Sequence, residues 1–232
     1  MSKCEQCIVR QFTSLKHLSK EEVVRMSKCK TSKIIKKGDV LFEEGTPING
    51  IFCIKDGVCK VSKMSENGRN QIISLIQRGD LLGERSLISD EVSNLSAVAL
   101  NDMEVCFIPK EEIIRDLQRN NAFSMSVLRD LATSLKNADN LIVDMAQKTV
   151  KQRLAETLLY LHTKFDTNSE GAIDIQLSRE DFSNIIGTAT ESAIRLLSEF
   201  KKKKIIAFKG KNIMILDSAS LEKIAQGFHN LL

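Results

Sequence analysis

LSREDFSNIIGTATESAIRLLSEF, residues 177–200, is the stretch that decides how this chain is read. Ser178 is placed to cap a helix, and Asp181, three residues on, makes a variant of the capping box. Phe182, Ile185 and Ile186 give that helix one apolar face. Gly187 follows where the chain must turn, since glycine takes positive φ without a Cβ clash. The pattern predicts a second helix restarting at 188–190. It buries Ala193, Leu196 and Leu197 and leaves Glu191, Ser192 and Arg195 on the open face. Two short helices about a tight turn make a helix-turn-helix, with the second helix shaped for a DNA major groove. A small core hairpin has the same pattern, so the flanking sequence must choose between them.

Residues 201–204 are four lysines in a row. After them Ile205-Ile206-Ala207-Phe208, Lys209-Gly210-Lys211-Asn212 and Ile213-Met214-Ile215-Leu216 read as strand, turn and strand. A basic hairpin behind a recognition helix is the wing of a winged helix. Between Arg195 and Lys211 the chain carries seven basic side chains and one acid, Glu199. Such a strip suits phosphate contacts, which set affinity and register but not sequence preference.

The 232 residues suffice for two domains with proper cores. The net charge of +4 is too small for a general polycation, so any nucleic-acid binding must come from local clustering. No apolar run reaches membrane-spanning length, and the polar start Met-Ser-Lys-Cys-Glu-Gln-Cys is not a signal peptide. A cytoplasmic protein is expected, whose six cysteines serve as thiols or metal ligands rather than disulfides.

Taken in order, residues 1–30 hold an N-terminal arm with Cys4 and Cys7, then a helix capped at Ser19 with Glu22 three residues later. Residues 31–109 contain many short β-rich runs cut by glycines, as expected of an antiparallel β-roll or jelly-roll barrel. Pro109 closes it. Residues 110–147 are a helical region broken near Asn120-Asn121, and residues 148–232 form the winged helix. Leu128, Leu131, Leu135, Ala138, Ile142 and Met145 are spaced 3, 4, 3, 4, 3, an a/d seam suited to pairing with a second copy or to packing on the barrel. The fold class is therefore α+β: an antiparallel barrel, a long helix and a C-terminal winged helix-turn-helix.

That order resembles the CRP/FNR family of bacterial transcription regulators. The motifs that carry the likeness are Gly79-Asp80-Leu81-Leu82-Gly83-Glu84, Arg153-Leu154-Ala155-Glu156-Thr157-Leu158-Leu159, and residues 177–197 with Lys209-Gly210-Lys211. The resemblance implies a homodimer that binds palindromic operators in double-stranded DNA and contacts RNA polymerase. It implies a signal in the barrel or N-terminal region that repositions the recognition helices by binding one arrangement better than the other. The DNA-binding set is then Ser178, Thr188, Thr190, Glu191, Ser192, Ile194, Arg195, Lys204, Lys209 and Lys211. Thr190 stands where the cyclic-AMP-responsive branch has arginine, and Ile194 where the FNR branch has serine.

Gly83, Glu84, Arg85, Asn94, Ala138 and Asp139 match effector-pocket positions. Cyclic-nucleotide-binding members clamp the phosphate with an Arg-Ser pair; here those positions are Asn94-Leu95, and the base-contacting pair of the long helix is Ala138-Asp139. An aspartate without an arginine suits a cyclic phosphate poorly, with Arg85 the one substitute nearby. In the FNR branch an iron–sulfur cluster sits on three N-terminal cysteines and one in the barrel. Cys4, Cys7 and Cys106 match three of these ligands; the third N-terminal position is Thr13, and Cys29 is the candidate to complete the set if the chain folds it close, so an iron–sulfur cluster or another metal such as zinc, redox-active thiols, and a terminus without function all stay open. Cys53 and Cys59 read as core residues. Two other functions fit the residues less well. A barrel metalloenzyme lacks its usual ligands, because His17, His162 and His229 all lie outside residues 31–109. A ligand-binding module acting only through protein contacts leaves the basic wing unexplained.

Overall fold

The computed structural model describes residues 4–227, so His229 lies outside the described residues. They form two compact units: residues 4–68 with 72–138, and residues 139–227 with 69–71.

The first unit begins with three 3₁₀ turns, Cys4–Gln6, Ile8–Phe12 and Ser14–His17, followed by helix α1, Lys20–Cys29. Ser19 caps α1 in a full capping box with Glu22. Eight strands follow: β1 Thr31–Ile35, β2 Val40–Phe42, β3 Gly50–Asp56, β4 Val58–Met64, β5 Asn70–Gln77, β6 Leu81–Leu82, β7 Ser96–Ala99 and β8 Met103–Pro109. They make two four-stranded sheets ordered β1-β8-β3-β6 and β2-β7-β4-β5, the jelly-roll arrangement. Short helix α2, Glu84–Ser89, interrupts the strands. The barrel interior is apolar, built from Phe52, Ile54, Cys59, Val61, Ala97, Met103 and Val105. On its outer side a second core packs the N-terminal turns and α1 against Ile51, Cys53, Cys106, Ile108 and Ile113.

Gly50 explains why two strands approach so closely. A Cβ there would lie 2.2 Å from the carbonyl oxygen of Ile108 on β8, so no other residue fits. Helix α3, Lys110–Arg119, starts directly after Pro109, which serves as its N-cap. Asn120 then breaks the helical run: its side chain accepts from the Phe123 N–H at 3.0 Å and starts α4, Asn121–Gln147.

The second unit takes the end of α4, then α5 Val150–Lys164, α6 Arg179–Ile186, α7 Thr190–Lys202, β9 Ile206–Lys209, β10 Asn212–Ile215 and α8 Ser218–Ala225. Leu154, Leu158, Leu161, Phe182, Ile186, Ala193, Leu197, Phe200 and Leu221 are its buried centre. Arg153 ties the pieces together. Its guanidinium donates to the carbonyls of Ile186 at 2.8 Å and Lys148 at 2.6 Å, and to Met145 at 3.3 Å, so it caps the ends of α4 and α6 at once.

Candidate DNA-binding face and thiol cluster

Ser178 is the N-cap of α6, in a capping box with Asp181. Gly187 ends that helix at φ 63, and the Thr188 N–H closes the turn on Ser183 at 3.1 Å. The hydroxyl of Thr190 lies 3.1 Å from that of Ser183, which makes Thr190 a brace between the two helices. Ala193, Leu197 and Phe200 pin α7 to the core, while Leu196 is only half-buried. The opposite face carries Glu191, Ile194, Arg195 and Ser198, all exposed and one or two turns apart. Ile194 is 43% exposed, an apolar side chain held out to solvent on a polar face. Ser192 is half-buried in the first turn.

Lysines 201–204 are exposed at the end of α7. Lys204 takes a left-handed backbone, φ 57, where the chain turns into the wing. The wing is β9 paired antiparallel with β10, and Gly210-Lys211 is its two-residue tip with Gly210 at φ 59. Lys209 and Lys211 are exposed there. Glu199, the one acid in the strip, is held by Lys151 at 2.7 Å and Lys203 at 3.0 Å. Those two lysines hold its carboxyl below the usual range, so it neutralises little of the remaining strip. Sequence reading missed the support behind the wing. Arg179 stacks on the Phe208 ring at 4.3 Å, and Lys201 lies over the same ring at 5.6 Å. An aromatic in a wing strand was the available signal.

The effector-pocket positions do not form a phosphate clamp. Gly83 caps α2 in the left-handed region, φ 103, against the Gly50 carbonyl and Ile48. Glu84 is pushed up by burial and by the neighbouring charges of Asp130 and Asp80. Arg85 is exposed. Asn94 is exposed and accepts on its carbonyl from Lys63 at 3.3 Å. On α4, Ala138 is half-buried and Asp139 exposed. Two acids face Glu84, the wrong sign for an anionic ligand.

The expected seam on α4 divides. Leu128, Leu135 and Ile142 stand at seven-residue steps, 54%, 64% and 67% exposed. Leu131 departs from the expectation: it packs on the core beside Val127 and Phe123. Met145 departs too, because its sulfur covers Gly187 within the second unit. Leu131, Ala138 and Met145, the alternate positions of the spacing, are half-buried within the chain, which leaves Leu128, Leu135 and Ile142 as its open residues.

The cysteines also need a correction. Cys29, expected as the fourth ligand, is exposed, and Cys59 is buried in the barrel interior. Cys53, expected to be core filler, is the strand partner of Cys106 and shares one core with Cys4 and Cys7. Thr13 has another use: it caps the third 3₁₀ turn, accepting from the Leu15 N–H at 3.1 Å. Lys30, nearly buried, donates to Cys106 at 3.5 Å and also to Cys4. Burial pushes the Cys53 thiol up to about 12, and pushes Cys4 up against the opposing pull of Lys30. Among the described residues no three His, Cys, Asp or Glu side chains are grouped so as to hold a metal ion. A lysine cation already occupies the space between two of the thiols, so this donor set, as placed, does not fit a resident metal or iron–sulfur cluster.

Comparison with known proteins agrees with this architecture. Residues 32–120 match the cyclic nucleotide-binding domain model, and residues 152–224 the Crp-like helix-turn-helix domain. The chain is 30% identical over 226 residues to the fumarate and nitrate reduction regulatory protein of Vibrio cholerae, covering 96% of this chain and 90% of that one. It is 26% identical to the transcriptional activator protein anr of Pseudomonas aeruginosa, covering 97% and 93%. Among solved structures, FixK2 from Bradyrhizobium japonicum shares the fold with a TM-score of 0.76 at 22% identity, over 84% of this chain and 96% of that one. Among the described residues no helix is long and apolar enough to cross a membrane. With a jelly-roll barrel, a long helix and a winged helix in one order, and with a relative matched along nearly its whole length, the chain belongs to the CRP/FNR family of transcription regulators.

Proposed function

We propose that this regulator works as a cytoplasmic homodimer that binds a palindromic operator and contacts RNA polymerase, with a signal received in the barrel and N-terminal region. The observation that carries the reading is the exposed face of α7. It presents Glu191, Ile194 and Arg195 together, flanked by lysines 201–204 and the wing lysines 209 and 211. Arg195 forks onto guanine O6 and N7, Glu191 accepts from cytosine N4, and Ile194 touches a thymine methyl. Half-sites of the TTGA type satisfy those contacts. The Thr190 hydroxyl, engaged by Ser183, adds no guanine contact. Ser178 and Thr188 border the same helix entrance and suit phosphate contacts.

Binding should be measured by mobility shift on a palindromic operator and on single-base variants of it. Arg195→Ala is expected to lose roughly 1–3 kcal/mol and to relax discrimination at one G·C pair. Unchanged selectivity would show that Arg195 does not read bases.

A further inference from the structure

Glu199 lies on α7 one turn beyond Arg195 and one turn before Lys203. Its Oε1 meets two ammonium groups, from Lys151 near the start of α5 at 2.7 Å and from Lys203 at the end of α7 at 3.0 Å. Both ion pairs converge on that one oxygen, so a single acid holds two like charges from different elements side by side. Two cations to one anion leaves the trio positive. Lys148 has the reverse arrangement, one ammonium between the carboxylates of Asp144 and Glu156. Take the Glu199 carboxylate away, and two cations face one point with no acceptor between them. A phosphodiester oxygen meets that demand, as one anionic oxygen accepting charge-assisted hydrogen bonds from two ammonium groups. The place fits as well. A recognition helix reads bases with its N-terminal residues, and Glu191 and Arg195 lie in the first half of α7. Glu199 and Lys203 continue the same row at steps of four, among the exposed lysines 201, 202 and 204. The side chains of Lys151, Glu199 and Lys203 are 26%, 35% and 57% exposed, so an outside oxygen can reach the same point. Ion pairs this open to solvent contribute little to stability, so a competing anion can displace the carboxylate.

We propose that Lys151 and Lys203 form a phosphodiester site that Glu199 fills in the free protein, so that the DNA backbone must displace this carboxylate to gain both cations. The inference rests on the DNA-binding reading above and adds Lys151 of α5 to that interface. Its effect is independent of sequence, because the backbone presents the same phosphate oxygens at every base step. Glu199 therefore weakens binding to all DNA without changing the preference for an operator. The acid that interrupts the basic strip acts as a brake on its electrostatic affinity.

The test uses the full chain and Glu199→Gln, which keeps the side-chain shape and removes the charge. Binding to an operator duplex and to a random duplex is titrated across salt concentrations. The variant should bind both more tightly with their ratio unchanged, and its slope of log affinity against log salt should steepen by about 0.9 for each phosphate gained. Adding Lys151→Ala to the variant should return slope and affinity toward the wild type, whereas Lys151→Ala alone should change the slope little. Unchanged or weaker binding by Glu199→Gln, or a gain that survives Lys151→Ala, would overturn the proposal. A gain on the operator alone would overturn it too, because Glu199 would then act at the bases. A second arm needs no DNA: inorganic phosphate is titrated into both proteins while the lysine side chains are followed by NMR. The Lys151 and Lys203 signals should move further in Glu199→Gln than in the wild type, and equal movement or none would overturn the site. If neither protein binds either duplex while those signals move as expected, the DNA-binding reading fails and the phosphate site stands.

Discussion

Asp116 shows how a single residue can hold a local structure in balance. Its side chain is 1% exposed and is paired with Arg25, which also holds Glu112 at 2.6 Å. Burial lowers and the two carboxylates raise the Arg25 guanidinium, and the carboxylates win. Asp116 is nevertheless pushed up, because its own burial outweighs the help from Arg25. Removing Arg25 leaves that carboxylate uncompensated, so Arg25→Met should cost roughly 3–5 kcal/mol at neutral pH. A folded-state value above the unfolded one means stability that is present at low pH and lost as pH rises through the folded value. The deficit of the variant should therefore shrink as pH falls through the raised folded range of Asp116 and be largely gone by about pH 4. Urea unfolding at neutral and acid pH checks both statements. Gly187 is a second such residue. It combines φ 63 with a would-be Cβ 2.9 Å from the Met145 sulfur, so Gly187→Ala meets both backbone strain and a clash. A loss of about 1–2 kcal/mol from the backbone alone is expected in thermal unfolding. The glycine was legible in the sequence as a helix stop; its contact with Met145, far earlier in the chain, was not.

Among the elements, α4 carries the strongest assembly signal. Three large apolar side chains, Leu128, Leu135 and Ile142, are exposed in heptad register along one face. Burying them against a second copy removes apolar surface from water at roughly 25 cal/mol per Å². Leu135→Glu would place like charges across a two-fold axis and should yield monomers that no longer bind a palindrome, with the barrel still folded. Sedimentation reads the result directly, and an intact dimer would rule out this stripe as the interface. Leu131 serves as the control position, because it packs on its own chain's core; a substitution there should lower stability first. The recognition helix is the opposite case. Its buried and exposed faces were legible from residue spacing, because a helix lays out its own faces at a fixed period. Leu196 and Ser192 strayed, both half-buried where the period placed the first inside and the second on the open face.

At the scale of the whole molecule, a net charge of +4 means that DNA affinity depends on where the lysines lie. Lys204 tests this cleanly, because its left-handed backbone, φ 57, accepts glycine without strain. Lys204→Gly should weaken binding to all sequences alike and lower the slope of log affinity against log salt by about 0.9 for the lost phosphate contact. Titration of operator binding across salt concentrations measures it; an unchanged slope would remove Lys204 from the interface. The sequence by itself determined the order of barrel, long helix and winged helix, the capping boxes at Ser19 and Ser178, the break at Asn120 and the wing at 206–215. Each of these rests on neighbours a few residues apart, where periodicity, caps and turns act. Only the tertiary structure decided the partners that lie far apart in sequence. It set Cys53 beside Cys106 through the register of β3 on β8, and brought Cys4 and Lys30 to the same core. It turned Cys29 out to solvent, gave Thr13 a capping role, and divided the α4 seam between an open face and residues used within the chain. Strand register and the packing of one face on another are set by contacts summed over the whole core, and no local spacing encodes them.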